Sequence, residues 1–542
     1  MSSMCPERCA VRPDAELFRV LWGRQFTSEE LRRWWLSRRA RADCRLCPVE
    51  RRSRCLSEGL QRLLAQNRIR AEAAVSAGAG SVPFCVRCGS HAVVQAFCSR
   101  CRRRDCLLCL ECATLGESRS CLTLYSAPVT AEAEEGGRSS WVPGAAAWPG
   151  RSGVQLESGR LQPSGGSLQA VLPLLNPAQR EAAAALLRWL PGRQHGTDGP
   201  AVFVLWAVTG AGKTVVMIRA LQDLLPDGVQ IGLLSPRREV CLELAQALQQ
   251  AFPGRRPGVM VGGYQQSPAG LPVWVATTHQ LVRFGRSFQV IFLDEADAFP
   301  LAGNGHLWRQ IRRTLRPAGR LILVTATPEP RWIRAFQSNA TAGVRLFMRH
   351  HGHALPVPEP VLCRRKSVAD WWSWLRGDLP PQAYSLAARA LAPPQARLMV
   401  FVPTRSQSVQ TARRLSLRLG IPVPFLHSGC PPAQRQQTLQ ELRDGRVRAL
   451  VTTSLLERGI TIAAVQVLVL EADHPMWTTS QLVQMAGRAG RSAHSPQGHV
   501  WFLAAHWTRA MQAAIEQIRQ ANEAAGRQDP GLRPGDPEAA AR

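Results

Sequence analysis

Residues Ala207–Thr214, AVTGAGKT, constrain this chain more than any other stretch. They follow the apolar run Ala201–Val208, AVFVLWAV, whose length and unbroken hydrophobicity predict a parallel strand buried on both faces. They precede Val215–Leu225, where apolar residues recur at helical spacing. Strand, glycine-bearing loop, Lys-Thr and helix together make a phosphate cradle. Its backbone N–H groups, at Thr209, Gly210, Ala211 and Gly212, turn toward phosphate oxygens, and the helix N-terminus adds partial positive charge. In this reading Lys213 reaches the β- and γ-phosphates of ATP and Thr214 holds Mg²⁺. Lys213 and Lys366 are the only lysines among 67 basic residues, so an ammonium is kept where a compact charge on a flexible stem is wanted.

At 542 residues the chain exceeds a single core, and three or four domains are expected. No apolar run reaches membrane-span length and the first residues carry no signal-like apolar segment, so a cytosolic protein is expected. The chain has sixteen cysteines, and the C-x-x-C spacing among them, without an export signal, points to metal rather than disulfides. The net charge of +28 rests almost wholly on arginine, which grips phosphate bidentately and suits nucleic acid. Ala, Gly and Pro are abundant too, as a GC-rich coding sequence produces, so charge alone is a weak argument.

Residues 1–80 form an Arg/Trp-rich N-terminal region in which Trp34-Trp35 lies among arginines; a solvated helix with a tryptophan face is the favoured reading. Cys44, Cys47 and Cys55 have ligand-like spacing, with Cys5 or Cys9 available as a fourth. Residues 81–125 form a Cys-rich zinc-binding module. Cys85-x-x-Cys88 and Cys98-x-x-Cys101 read as the two knuckles of a structural Cys₄ site, and Cys106, Cys109, Cys112 and Cys121 suffice for a second. Which four share an ion is open, because interleaved pairing is allowed. Residues 126–168 read as a linker. Strands are then expected at 201–208, 231–235, 273–277, 290–294 and 320–324, with helices at 213–225 and 238–251, giving a doubly wound domain over 169–350. After a junction at 351–394, strands at 398–402, 423–426, 449–453, 465–470 and 499–504 make a second such domain over 395–525, and 526–542 reads as a disordered tail. The fold class is therefore α/β: two tandem doubly wound parallel-sheet domains behind a small zinc module.

Asp294-Glu295-Ala296-Asp297 follows a predicted strand in the sheet that carries the cradle. Asp294 is placed to complete the Mg²⁺ shell, and Glu295 to orient and deprotonate the attacking water. Thr325-Ala326-Thr327-Pro328 ends the next strand, and its hydroxyls can bond the acidic motif or the second domain. In QMAGRAGR (484–491), Arg488 and Arg491 are nearly one helical turn apart and can deliver cations to the transferring phosphoryl group.

AVTGAGKT, DEAD, TATP, TSLLERGIT (454–461) and QMAGRAGR occur in the order and spacing of superfamily 2 helicases and translocases, which the chain resembles over residues 170–525. The resemblance implies two RecA-like domains, an adenine-reading role for Gln179 in Asn176-Pro177-Ala178-Gln179, and a nucleotide contact at Gly459. It also implies strand contacts from Ser235-Pro236-Arg237 and Thr277-Thr278. Within the superfamily, zinc cysteines ahead of the core, DEADAFP, FVPT (401–404) and ADHP (472–475) resemble the ComFA family. That family implies an ATPase drawing single-stranded DNA through an uptake channel during competence. It implies a place in the cytosol at the inner face of the membrane, with the channel, other competence proteins and a second copy of itself as partners. The PriA family also joins zinc knuckles to such a core but carries them in the second helicase domain, whereas here they precede the cradle. A second class of reading is a zinc-dependent DNA-binding module whose affinity ATP switches. Glu295 and Arg491 favour a motor, since a switch tolerates their loss.

Overall fold

Parallel strands covered on both faces must be apolar throughout, and the burial of this chain follows that rule. Ile231–Ser235, Ala449–Thr452, Val465–Val469 and Val500–Ala504 are buried at every position. The computed structural model describes residues 13–21, 23–37, 49–76, 82–113, 116–127, 175–190, 200–225, 229–266, 270–338, 340–363, 378–457, 462–491 and 498–528. Gly459, Lys366, Cys5, Cys9, Cys44, Cys47, nearly all of the expected linker and residues 529–542 lie outside them. By contacts the chain divides into two compact units. One is drawn from residues 1–171, 190–203 and 221–322, the other from 172–189, 204–220 and 323–542.

The larger sheet has eight strands in the order Tyr264–Gln266, Arg256–Val261, Gly270–Thr277, Ile231–Ser235, Phe288–Asp294, Leu315–Thr325, Ala201–Ala207 and Ala342–Leu346. The pairs around Ile231–Ser235 are parallel, whereas Tyr264–Gln266 closes an antiparallel hairpin at the edge. The second sheet has six strands, all parallel, ordered Glu359–Leu362, Val500–Ala504, Val465–Val469, Arg397–Phe401, Ala449–Thr452 and Phe425–Leu426. Two elements inside the stretch expected to be a junction belong with this second sheet. Glu359–Leu362 is its edge strand, fixed by a 3.0 Å bond from Trp501 Nε1 to Glu359 Oε2, and Pro381–Leu391 buries Ala383, Leu386, Ala387 and Ala390 in its core. Their Pro-rich flanks hid them from a reading that looked for apolar runs.

The described residues ahead of the cysteine module form helices and strands. The helix Ser28–Ser37 starts at a capping box: the Glu30 N–H donates to Thr27 Oγ1 at 3.3 Å and the Thr27 N–H to Glu30 Oε2 at 3.1 Å. With Pro13–Leu21 and Val49–Ala65 it encloses Leu17, Leu21, Leu31, Leu60 and Leu63, and Trp34 and Trp35 pack half-buried against that core. Gln25–Thr27 and Arg70–Ala73 flank Thr123–Ser126 in an antiparallel sheet. Residues on either side of the cysteine module are thus knitted together, and the boundary expected at residue 80 does not separate two bodies.

This amino-terminal assembly is joined within its unit to the segment Thr278–Arg283. The Arg87 side chain is fully buried. It donates from Nε to Val282 O (3.1 Å), from Nη1 to Gly116 O (3.0 Å) and from Nη2 to the Glu30 carboxylate (2.8 Å), which Arg283 Nη1 also approaches at 3.3 Å. Gln310 Nε2 donates to Cys88 O at 2.7 Å and Arg313 Nη2 to Val86 O at 2.8 Å. Arg24 stacks on Phe26 and Trp274, its guanidinium 4.5 and 5.4 Å from the ring centroids. Removing one partner of a buried ion pair leaves the other charge uncompensated, at a cost of about 3–5 kcal/mol. Arg87→Ala is therefore expected to lower stability by that order, read as a fall in the urea midpoint. A loss under about 1 kcal/mol would show that water replaces the guanidinium.

Candidate nucleotide site and cysteine clusters

The cradle lies in the second unit. The strand Ala201–Ala207 ends in the turn Val208–Gly212, from which the helix Lys213–Leu224 departs. Gly210 and Gly212 take φ of +82° and +81°, a region that side chains rarely enter, so the loop needs glycine at both positions. Lys213 and Thr214 open the helix and are half-exposed. Ala211 is buried and its carbonyl accepts from Gln179 Nε2 at 2.9 Å. Gln179 also accepts the Asn176 N–H on Oε1 at 3.0 Å and donates its own N–H to Asn176 Oδ1 at 2.8 Å, a reciprocal cap at the start of Pro177–Trp189. A Cβ at Gly212 would collide with the Gln179 amide. The glutamine expected to read adenine therefore braces the cradle with the same amide.

The arginine motif meets the cradle in the same unit. A capping box between Thr478 and Gln481 starts the helix Thr479–Ala486, which ends before the arginines. Arg488 and Arg491 consequently sit on the turns after the helix rather than on one helical face, because Gly487 caps it. Arg488 is buried and its Nε donates to Glu457 O at 2.9 Å, while Arg491 Nε donates to Gly487 O at 3.1 Å. A Cβ at Gly487 would strike the Thr209 side chain, so glycine there lets that side chain lie directly against the backbone of the arginine motif. The buried Thr209 Oγ1 has no hydrogen-bond partner among the described residues, as suits an atom that awaits a ligand. In the TATP segment the Thr327 N–H donates to Thr325 Oγ1 at 3.1 Å, and Thr327 Oγ1 lies 2.7 Å from Ser480 Oγ. This strand end is thereby tied to the helix that delivers the arginines.

The acidic motif lies in the first unit. Phe288–Asp294 is a strand buried almost throughout, and Asp294 ends it with Oδ1 accepting the Glu295 N–H at 2.9 Å. Glu295 takes φ of +56°, an unusual and costly conformation for a residue that carries a Cβ, and is buried. Its Oε2 is 3.5 Å from Arg237 Nε, the arginine of Ser235-Pro236-Arg237. Strain held at the carboxylate directly after Asp294, the residue expected to hold Mg²⁺, fits a general base fixed in orientation. Glu295→Gln is accordingly expected to bind ATP with Mg²⁺ yet hydrolyse it about a hundredfold more slowly or worse, measured in single turnover. A rate like that of the parent chain would move the role to Asp297.

Eight cysteines gather into two sets, Cys85, Cys88, Cys109 and Cys112, and Cys98, Cys101, Cys106 and Cys121, with the sulfurs of each set within 4.8 Å of one another. The two knuckles Cys85–Cys88 and Cys98–Cys101 thus serve different clusters, which corrects their grouping as one site. The hairpin of Val93–Ala96 with Cys106–Cys109 decides this. Its register puts Ala96 opposite Cys106 and Val93 opposite Cys109, so the second strand sends one cysteine to each end. Separations of 3.9 Å (Cys85–Cys112), 3.5 Å (Cys88–Cys109) and 3.8 Å (Cys98–Cys121) match the spacing of about 3.8 Å that tetrahedral Zn–S bonds of about 2.3 Å require. Hydrogen bonds from Cys109 and Cys112 drive the Cys85 thiol down, toward the thiolate that a metal takes. Of the knuckle arginines, Arg100 pairs with Glu29 and Arg103 with Asp105, each at 2.6 Å, while Arg102 and Arg104 are exposed.

Arg349 was not among the residues singled out from sequence, although it is fully buried against the cradle. The run Arg349-His350-His351-Gly352-His353 directly after a strand is the one signal that pointed to it.

The DEAD/DEAH box helicase family model matches residues 176–336, and the helicase conserved C-terminal domain model matches residues 384–493. Competence protein ComFA of Bacillus subtilis (strain 168) is 30% identical over 353 residues, which cover 65% of this chain and 73% of that protein. Competence protein ComFA of Streptococcus pneumoniae (strain ATCC BAA-255 / R6) is 31% identical over 357 residues, 65% of this chain and 78% of that protein. Among solved structures, S. cerevisiae Dbp5 bound to RNA and ADP BeF3 gives a TM-score of 0.47 at 19% identity, over 64% of this chain and 87% of that one. With both helicase domains matched in tandem and most of each of two ComFA proteins covered, the chain belongs to the ComFA family and is an ATP-hydrolysing helicase or translocase of superfamily 2.

Proposed function

We propose that this chain is an ATP-driven translocase on single-stranded DNA that serves the uptake of transforming DNA in competence. The observation that carries the reading is the likeness to two proteins named for competence, which extends over 65% of this chain. The hydrolysis positions support a motor: Lys213, Thr214, Asp294, Glu295, Arg488 and Arg491 are all of the type the chemistry requires. Binding and loss of the γ-phosphate would then close and release the two domains, with Thr327–Ser480 reporting nucleotide state to the arginine helix. A translocase on strands already separated avoids the roughly 1.4 kcal/mol per base-pair step that unwinding must offset. The channel through which DNA enters, other competence proteins and a second copy of the chain are the partners this role requires. Among the described residues no helix is long and apolar enough to cross a membrane, so placement at the inner face would depend on such a partner.

Zinc is proposed for both cysteine sets. Elemental analysis of the purified chain is expected to give two zinc ions, one per set, and Cys88→Ser is expected to release one of them. One ion in the parent chain, or none, would overturn this assignment.

Backbone-tracking motors read phosphates rather than base edges, so binding is expected to prefer single strands over duplex and to vary little with base composition. Affinity should fall with salt at a slope near −0.7 per phosphate neutralised. Arg102→Ala with Arg104→Ala should lower that slope by about one to two, since these arginines make no ion pair among the described residues. Strand-stimulated ATPase with directional movement on single strands completes the test. Stimulation without movement would favour the affinity switch, and tighter duplex binding would favour the replication-restart reading.

A further inference from the structure

The strand Ala342–Leu346 leaves its sheet along the phosphate cradle. The Val208 N–H donates to Leu346 O at 3.0 Å, and the His350 N–H to Gly210 O at 3.0 Å. Arg349 stands between these two bonds and has no exposed surface. A Cβ added at Gly210 would lie 3.7 Å from both its Cγ and its Nε, so the stem runs directly across the loop glycine. Its Nη1 donates to Gly490 O at 2.5 Å and its Nη2 to Ala489 O at 2.8 Å, the carbonyls of the turn between Arg488 and Arg491. His351 Nε2 meets the same Gly490 oxygen at 3.1 Å.

Two features of this arginine are unfavourable unless something else binds there. The Nε–H has no acceptor among the described residues, and no carboxylate there pairs with the guanidinium. Carbonyl dipoles solvate a cation in part, but a buried charge without a counter-ion costs several kcal/mol. Burial first, and the nearby Arg491 second, push its pKa down to about 10, which still leaves it charged at neutral pH. The missing partner must be an anion, must approach the Gly210 side and must accept from Nε.

We propose that Arg349 is a further phosphate-binding cation of the nucleotide site, whose Nε–H contacts the polyphosphate on the cradle while its Nη groups hold the turn of Ala489 and Gly490. The inference rests on the reading of Ala207–Thr214 as the nucleotide site. In that arrangement one guanidinium touches both the ligand and the arginine motif, so the turn bearing Arg488 and Arg491 is fixed more firmly when nucleotide is bound. Bidentate geometry suits arginine and not lysine for such a bridge.

The test uses the full chain with Arg349→Met and Arg349→Lys, a fluorescent ADP analogue with Mg²⁺ as probe, and melting temperature with and without Mg-ADP. Arg349→Met is expected to melt at or above the parent chain without nucleotide, because an uncompensated buried charge is removed. Its affinity for the probe should fall about tenfold or more, the scale of one hydrogen bond between charged groups, and its nucleotide-induced rise in melting temperature should shrink. Arg349→Lys keeps a stem and a charge but lacks the Nε–H, and should lose affinity at an unchanged melting temperature. If Arg349→Met does not fold, Arg349→Lys decides alone: parent-like affinity overturns the assignment and weakened affinity supports it. A folded Arg349→Met that melts several degrees lower yet binds the probe as the parent does would show a purely structural role and overturn it. No saturable binding by the parent chain would overturn the cradle reading and this inference together, whereas parent binding with unaltered variants overturns this inference alone.

Discussion

The Glu30 carboxylate is the constraint on which the amino-terminal half depends. It closes the capping box that starts Ser28–Ser37, and it is the counter-ion for Arg87 and Arg283. One carboxylate therefore joins a helix start, the first cysteine knuckle and the segment after Gly270–Thr277. Such a site tolerates little change around it: a Cβ at Gly116, which takes φ of +136°, would collide with Glu30. Buried pairs of this kind add little net stability over apolar packing, but they admit one arrangement of their partners. Arginine meets that demand because its fork satisfies a carboxylate and two carbonyls at once.

The nucleotide site uses a different device, namely glycine where a side chain must lie directly on backbone. The Thr209 side chain against Gly487 and the Gln179 side chain against Gly212 leave no room for a methyl group, so the arginine motif and the upstream helix pack tightly on the cradle. Side-chain hydroxyls then set the register, through Thr327 with Ser480 and Thr478 with Gln481. Such contacts are short and directional but individually weak, on the order of 1 kcal/mol. A motor needs that combination, since contacts that break and re-form once per ATP must not be deep wells.

The parts of this molecule legible in sequence were those set by local chemistry. Strands buried on both faces read as apolar runs, and Ile231–Ser235 was bounded correctly from its residues alone. Leu315–Thr325 extends well before the expected 320–324, because Arg316, Pro317, Ala318 and Gly319 gave no apolar signal. Glu359–Leu362 was missed for the opposite reason: as an edge strand it is mostly exposed and looks like loop. Cysteine pairing was not legible because the register of one hairpin fixes it, and the nine residues between the knuckles fit either arrangement. Arg349 was not legible because the one mark beside it in sequence, the histidines His350, His351 and His353, assigns it no role. Its environment is made by Gly210, Ala489 and Gly490, some 140 residues away in either direction.

The cysteine module shows how far a local reading must be extended by packing. Its eight cysteines enclose almost no apolar core, so metal is the expected source of its stability. Yet the first cluster is not closed upon itself: Val282 packs among Cys85, Cys88, Cys109 and Cys112, and Gln310 bonds the Cys88 carbonyl. The segment that supplies Val282, Thr278–Arg283, begins directly after Thr277, in the pair of threonines that the superfamily resemblance assigns to strand contact. Order at the first cysteine cluster and order at this segment are therefore one cooperative event, since neither can loosen without exposing Val282 and unpairing Arg87. Placed ahead of the core in sequence, the module packs in three dimensions on the segment Thr278–Arg283 and on Gln310 of the first helicase domain.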